Sequence, residues 1–230
     1  MNVQSDFETL IKLAIIGDSN IGKSNFLFQF IEGQFSPLHV ATIGFDYKSK
    51  IITLPESNRV VKLQIWDTAG QEKYMSINKN LFQRVQGIIL MYDITKRESF
   101  ERLEIWINLI KQNTNDLPMI LVGNKLDQED NDDNGRIVET SEGENFAKIR
   151  GMEFFEASAL EGKNVEKAFT CIAAKVIQAL KDDRSPSAIT INNVAKKKKK
   201  NAANSLEDFL AYTIRLFVPD ILYIRTSSKK

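Results

Sequence analysis

Cysteine and histidine are almost missing from this 230-residue chain, which has one of each, Cys171 and His39. A lone cysteine excludes an internal disulfide and fits a reducing compartment. Cys171 falls within an apolar helical pattern, where a small buried hydrophobe is expected rather than a reactive thiol. His39 has no partners nearby in sequence and reads as an exposed loop residue, not a ligand. No uninterrupted apolar run is long enough to cross a bilayer. Met1 to Thr9 is polar and lacks the apolar core of a signal peptide, so a cytosolic protein is expected. A net charge of +1 supplies no global field for nucleic acid. The charge that exists is local: a lysine run from Lys196 to Lys200 and an acidic cluster from Asp127 to Asp133. The length suits one α/β domain with an appendage, and two full domains would be cramped.

What is present begins with Gly17-Asp18-Ser19-Asn20-Ile21-Gly22-Lys23-Ser24. It fits G-x-x-x-x-G-K-[ST], the loop that cradles phosphates. Its context agrees, because an apolar run from Leu10 to Ile16 precedes it and a helix-forming segment starts at Lys23. Gly17 and Gly22 let the backbone turn its N–H groups inward, and the helix that follows points its positive end at the same anion. Lys23 would reach the β and γ phosphates and Ser24 would ligate Mg²⁺.

The remaining pattern is that of a doubly wound, mostly parallel α/β sheet with one antiparallel hairpin edge strand. Lys23 to Glu32 reads as a helix with Gly33 as its C-cap. Phe45 to Leu54 and Arg59 to Trp66 form a hairpin across Pro55-Glu56-Ser57-Asn58. Gly87 to Tyr92, Met119 to Gly123 and Glu153 to Ala157 read as buried strands. Thr95 and Glu98 suggest a capping box for one helix running to about Gln112. Ser141 to Arg150 and Asn164 to Leu180 supply two more helices. The expected organisation is an N-terminal extension at 1–9, the α/β domain at 10–181, a disordered basic linker at 182–204 and an amphipathic tail at 205–230.

Further segments carry chemistry for the same ligand. Asp67-Thr68-Ala69-Gly70-Gln71 follows a strand. Asp67 there can hold Mg²⁺ through water, Gly70 can offer an unobstructed N–H to a γ phosphate, and Gln71 can orient a water for in-line attack. Asn124-Lys125-Leu126-Asp127 suits guanine: the Asp127 carboxylate can accept from N1–H and the exocyclic amine, which adenine lacks, while Lys125 lays its stem over the base. In Ser158-Ala159-Leu160 the Ala159 N–H can meet the guanine O6.

With these motifs the chain, from Leu10 to Leu180, resembles a Ras-superfamily small GTPase, the small G domain of the P-loop NTPases. It is most similar to the Rab family of membrane-trafficking switches. The resemblance extends to Thr42-Ile43-Gly44-Phe45-Asp46-Tyr47, Lys62-Leu63-Gln64-Ile65-Trp66 and Leu90-Met91-Tyr92-Asp93-Ile94-Thr95. It implies that Thr42 joins the Mg²⁺ shell only beside a γ phosphate, that Phe35 packs edge-on against the base and that Asn25 touches the α phosphate. It also implies that Phe45, Trp66 and Phe82 face effector proteins, although ordinary core is the alternative for all three, and an equal one for Trp66. Exchange factors and GTPase-activating proteins are expected partners. The chain departs from the family in four respects: Asn20 replaces a common glycine, Leu81 to Val85 replaces Tyr-Tyr-Arg-Gly-Ala, the acidic loop after Asp127 is longer, and the final residues, Thr226 to Lys230, contain no prenylation cysteine.

The expected activity is GTP hydrolysis, slow without an activating partner, because no arginine lies between Gln34 and Ala41. Alternatives are a GTP-binding scaffold that does not cycle, or a soluble Ran-like transport GTPase. Peripheral attachment to endomembranes is open: Lys196–Lys200 would attract anionic lipid while Leu206, Phe209, Leu210, Ile214 and Phe217 form an apolar stripe. The same stripe would also suit packing against protein, or an unstructured tail.

Overall fold

The computed structural model describes residues 6–36, 45–68, 81–114, 117–130 and 135–181. Strands and helices alternate as β1 (Thr9–Ile16), α1 (Lys23–Glu32), β2 (Phe45–Leu54), β3 (Arg59–Thr68), β4 (Gly87–Asp93), α2 (Arg97–Glu101), α3 (Leu103–Asn113), β5 (Met119–Asn124), α4 (Thr140–Ile149), β6 (Glu153–Ala157) and α5 (Val165–Lys181). One six-stranded sheet has the order β2-β3-β1-β4-β5-β6. Among the described residues only β2 runs antiparallel to its neighbour, pairing with β3 from Phe45 opposite Thr68 to Leu54 opposite Arg59. The α/β architecture expected from the alternation is therefore the observed one.

Side-chain alternation along the central strands divides the core in two. Ile11, Leu13 and Ile15 of β1, Ile89 and Met91 of β4, and Ile120 and Val122 of β5 face α1 and α5. Ala14, Ile16, Ile88, Leu90, Tyr92 and Leu121 point the other way, towards α3 and α4. With apolar side chains burying both faces, β4 is buried throughout and reads as a continuous apolar run. On the first face Phe169 stacks between Phe26 and Phe30, at centroid distances of 5.3 and 3.9 Å. Gly33 caps α1, its N–H donating to the Gln29 carbonyl.

Two local expectations fail. Thr95 does not cap a helix: its N–H and Oγ1 both donate to Asp93 Oδ1, at 2.9 and 2.7 Å. Nor is the segment one helix, because it breaks at Arg102 into α2 and α3. A capping box occurs instead at α4, where the Glu139 N–H donates to Glu142 Oε2 at 3.0 Å. Phe82 is corrected as well. At 1% exposure it belongs to the core between the sheet and α3, not to a protein-facing surface. Trp66 is half-buried against the same core and tilted against exposed Tyr47. Among the described residues no helix is long and apolar enough to cross a membrane.

Candidate functional site

Five strands, β1, β3, β4, β5 and β6, run parallel, so their C-terminal ends share one edge, where sheets of this kind hold ligands. The register fixes what stands there. Ile15 is opposite Asp67, Asp93 is opposite Asn124, and Asn124 is opposite Ala157. Each nucleotide motif singled out in the sequence, so far as it is described, falls on this edge or in the loop just beyond it.

The phosphate-type loop leaves β1 at Gly17 and enters α1 at Gly22. Gly17 has φ 149°, and a Cβ there would lie 2.3 Å from the Met91 carbonyl oxygen, so a side chain is sterically excluded. Gly22 has φ 92°, and a Cβ there would meet Asn124 Nδ2 at 2.5 Å. The first turn of α1 contains no acidic residue and no side-chain cap, which leaves its N–H groups and dipole available to an anion. Lys23 curls over the loop and donates to the carbonyls of Gly17, at 2.9 Å, and Asp18. Its side chain is buried, and that burial lowers its pKa from 10.5 to about 8, with Asp67 and Asp18 acting in the opposite direction. A polyphosphate at this position would supply the countercharge that burial has removed from water.

Ser24 Oγ donates to Asp67 Oδ2 at 2.5 Å. The two side chains come from α1 and the end of β3, and both present oxygen. This donor set fits Mg²⁺, which favours a hydroxyl or carboxylate combined with phosphate oxygens and retained waters. Among the described residues no group of three or more His, Cys, Asp or Glu side chains could hold a metal by itself, so a cation here would depend on the ligand's oxygens.

The other half of the edge forms an open cleft of about 610 Å³. Asn20, Gly22 and Asn25 line it from the phosphate side, and Asn124, Lys125, Asp127, Ala159 and Leu160 from the opposite side. Phe35, 38% exposed, and Leu160, 48% exposed, give it apolar walls that solvent can reach. Asn124 locks the two halves together. Its Nδ2 donates to the Ile21 carbonyl at 2.8 Å, and its Oδ1 accepts the Ala159 N–H at 3.2 Å. Asp127 accepts from Ser158 Oγ at 2.6 Å and from Gln128 Nε2 at 2.8 Å. The Asp127 carboxylate is thereby oriented at the cleft wall, where it can accept two donors in one plane. Ser158 is fully buried and its Oγ also accepts the Glu161 N–H at 3.0 Å. Ser19 lies in the loop itself.

Sequence reasoning missed Asp93, Thr95, Lys96 and Gln128. Thr95, Lys96 and Gln128 line the cleft, and Asp93 stands behind Thr95. The available signal was position: Asp93 is the last residue of a continuous apolar strand, at the same edge of the sheet as Asp67 near the end of β3. Thr42, Gly70 and Gln71 lie outside the described residues, as do His39 and everything from 182 onward, including Lys196–Lys200 and the tail; of Phe45 only the backbone is described.

The comparisons agree with this geometry. A sequence model of the Ras family matches residues 12–178. The chain is 42% identical over 180 residues to a Ras-related protein, RAB1BV, of Beta vulgaris, covering 78% of this chain and 81% of that one. It is 42% identical over 187 residues to human Ras-related protein Rab-3B, covering 80% and 83% of the two chains. Human Rab-3D shares 39% identity over 189 residues, with coverage of 82% and 84%. The chain belongs to the Ras family, and it is a small GTPase similar to the Rab proteins.

Proposed function

We propose that this GTPase is a Mg²⁺-dependent switch in vesicle or membrane trafficking, with residues 10–181 as its G domain. The observation that carries the nucleotide-site reading is the double hydrogen bond of Asn124. It makes the phosphate loop and the base loops one continuous cleft at the strand ends. In this reading the N–H groups from Ser19 to Ser24, with Asn25, hold the phosphates, and Lys23 neutralises them. Phe35 and Lys125 flank the base. Asp127 selects guanine, because its remaining acceptor sites match the N1–H and amine of guanine and would be covered without those donors by another base, and Ala159 meets O6 beside Ser158 and Leu160. Mg²⁺, held by Ser24, Asp67 and Thr42, would stabilise charge on the phosphates. Gln71 orients the attacking water, and loss of the γ phosphate releases Thr42 and Gly70 so that both switch segments relax.

Phe45 and Trp66 then report the state of the switch to effector proteins. An exchange factor and an activating protein set its timing, the latter supplying an arginine worth roughly 10³ to 10⁵ in rate. Residues 182–204 act as a basic linker and 205–230 as an amphipathic tail, with Lys196–Lys200 drawn to anionic lipid at about 1 kcal/mol per lysine near the surface.

The test is the nucleotide bound by the purified full-length protein and its single-turnover GTP hydrolysis beside Gln71→Leu. Guanine nucleotide, slow turnover and a further loss in the variant are expected. Equal rates in the two proteins would select a scaffold that binds GTP without cycling, and rapid hydrolysis without any partner would contradict the need for an activator.

A further inference from the structure

Asp18 is the second residue of the phosphate loop, yet its carboxylate is held by a different part of the fold. Oδ1 accepts the Trp106 indole N–H at 2.8 Å and Oδ2 pairs with Arg102 Nε at 3.1 Å. The two donors stand four residues apart, on one side of the turn where α2 gives way to α3. Trp106 is 2% exposed and the Asp18 side chain 15%, so their hydrogen bond is shielded from water, while Arg102, 34% exposed, pairs with Asp18 from the rim. At the other end of the same residue, the Asp18 carbonyl accepts from Lys23 Nζ, next to the Gly17 carbonyl at 2.9 Å. Asp18 is therefore clamped at both ends, by α3 through its side chain and by the loop lysine through its backbone. A buried indole N–H needs only some acceptor; here the acceptor is the residue that also carries a carbonyl holding Lys23.

We infer that Trp106 and Arg102 are positioning residues for nucleotide retention. Through Asp18 they fix the carbonyls against which Lys23 is set, so that the break between α2 and α3 governs how slowly guanine nucleotide leaves. The inference rests on the reading of Gly17–Ser24 as the phosphate site.

The experiment is a double-mutant cycle on release of a fluorescent GDP analogue from the full chain. Trp106→Phe keeps the ring and removes the donor, and it is made in the parent and in Asp18→Ala. Arg102→Met, which keeps the aliphatic stem, is made in the same two backgrounds. Loss of one charge-assisted hydrogen bond predicts roughly tenfold faster release for Trp106→Phe and a smaller, about threefold, acceleration for the more exposed Arg102→Met in the parent, and less than about twofold for Trp106→Phe, with about no change for Arg102→Met, where Asp18 is already alanine. The same acceleration in both backgrounds, for either substitution, would overturn the inference, because the side chain would then act by packing alone. A parent chain that retains no GDP would instead overturn the phosphate-loop reading, and the two failures are distinct.

Discussion

The Asp93 carboxylate lies 2.6 Å from the Lys125 ammonium, so the lysine of the base loop is held from behind by an acid at the end of the neighbouring strand. Asp93 is fully buried, and its other oxygen accepts both the N–H and the hydroxyl of Thr95. Lys125 itself sits in the left-handed region at φ 72°, a conformation with a cost for a non-glycine residue that the ion pair helps to offset. Asp93→Asn keeps an acceptor for Thr95 but removes the charge facing Lys125. GDP binding should weaken by roughly 1 to 3 kcal/mol. Titration with a fluorescent GDP analogue checks this, with urea unfolding to separate a folding defect. Unchanged affinity in a folded variant would show that the pair does not support the base site.

Lys23 predicts a proton linkage. Its folded pKa, about 8, lies below the ordinary 10.5. Between those values the unfolded chain holds more protons than the folded one, so the stability of the ligand-free protein rises with pH across that window. Below about pH 8 the penalty is fully present. Phosphates at the loop would favour the charged form and reverse the shift. Nucleotide binding at pH 8 should therefore take up about half a proton, which calorimetry in two buffers of different ionisation enthalpy would measure. No uptake would mean that Lys23 does not meet the phosphates.

Asp127 makes the base specificity testable by exchange. Its carboxylate presents acceptors only, matching the N1–H and amine of guanine, and Ser158 holds it in orientation. Asp127→Asn introduces an amide donor, which would face a repelling amine on guanine but a matching carbonyl on xanthine. GDP affinity should fall by about 10²-fold or more while XDP affinity rises. Competition between the two nucleotides reads both changes at once, and a parallel loss of both would point to a collapsed pocket instead.

Much of this was legible in the sequence because the informative residues are local. Gly17, Gly22, Lys23 and Ser24 belong to one turn, and the buried strands β4 and β5 announce themselves as unbroken apolar runs. What escaped depends on which of several possible partners a side chain finds in the fold. Thr95 looked like a helix cap because Glu98 follows at the right spacing, but Asp93 captures it first. Phe82 looked like a surface aromatic by family position, but it is buried in the core cluster on the α3 and α4 face of the sheet. Asp18 and Trp106 are 88 residues apart, and no spacing rule connects them.

Asn20 stands where the family resemblance leads one to expect glycine, and the backbone shows what the position requires. Its φ is 61°, in the left-handed region that glycine enters freely and asparagine enters more readily than other residues. The position selects for backbone freedom, and asparagine meets that demand with a side chain at the rim of the cleft. Asn20→Gly keeps the left-handed conformation accessible and should change stability by less than about 1 kcal/mol. Asn20→Val places a β-branched residue in the same conformation and should cost about 1 to 2 kcal/mol. Thermal unfolding of the two variants checks the contrast. Their single-turnover GTP hydrolysis then asks a separate question: if Asn20→Gly alone changes the rate while its stability matches the parent, the asparagine acts on the chemistry; if the rate is also unchanged, it serves only to hold the turn.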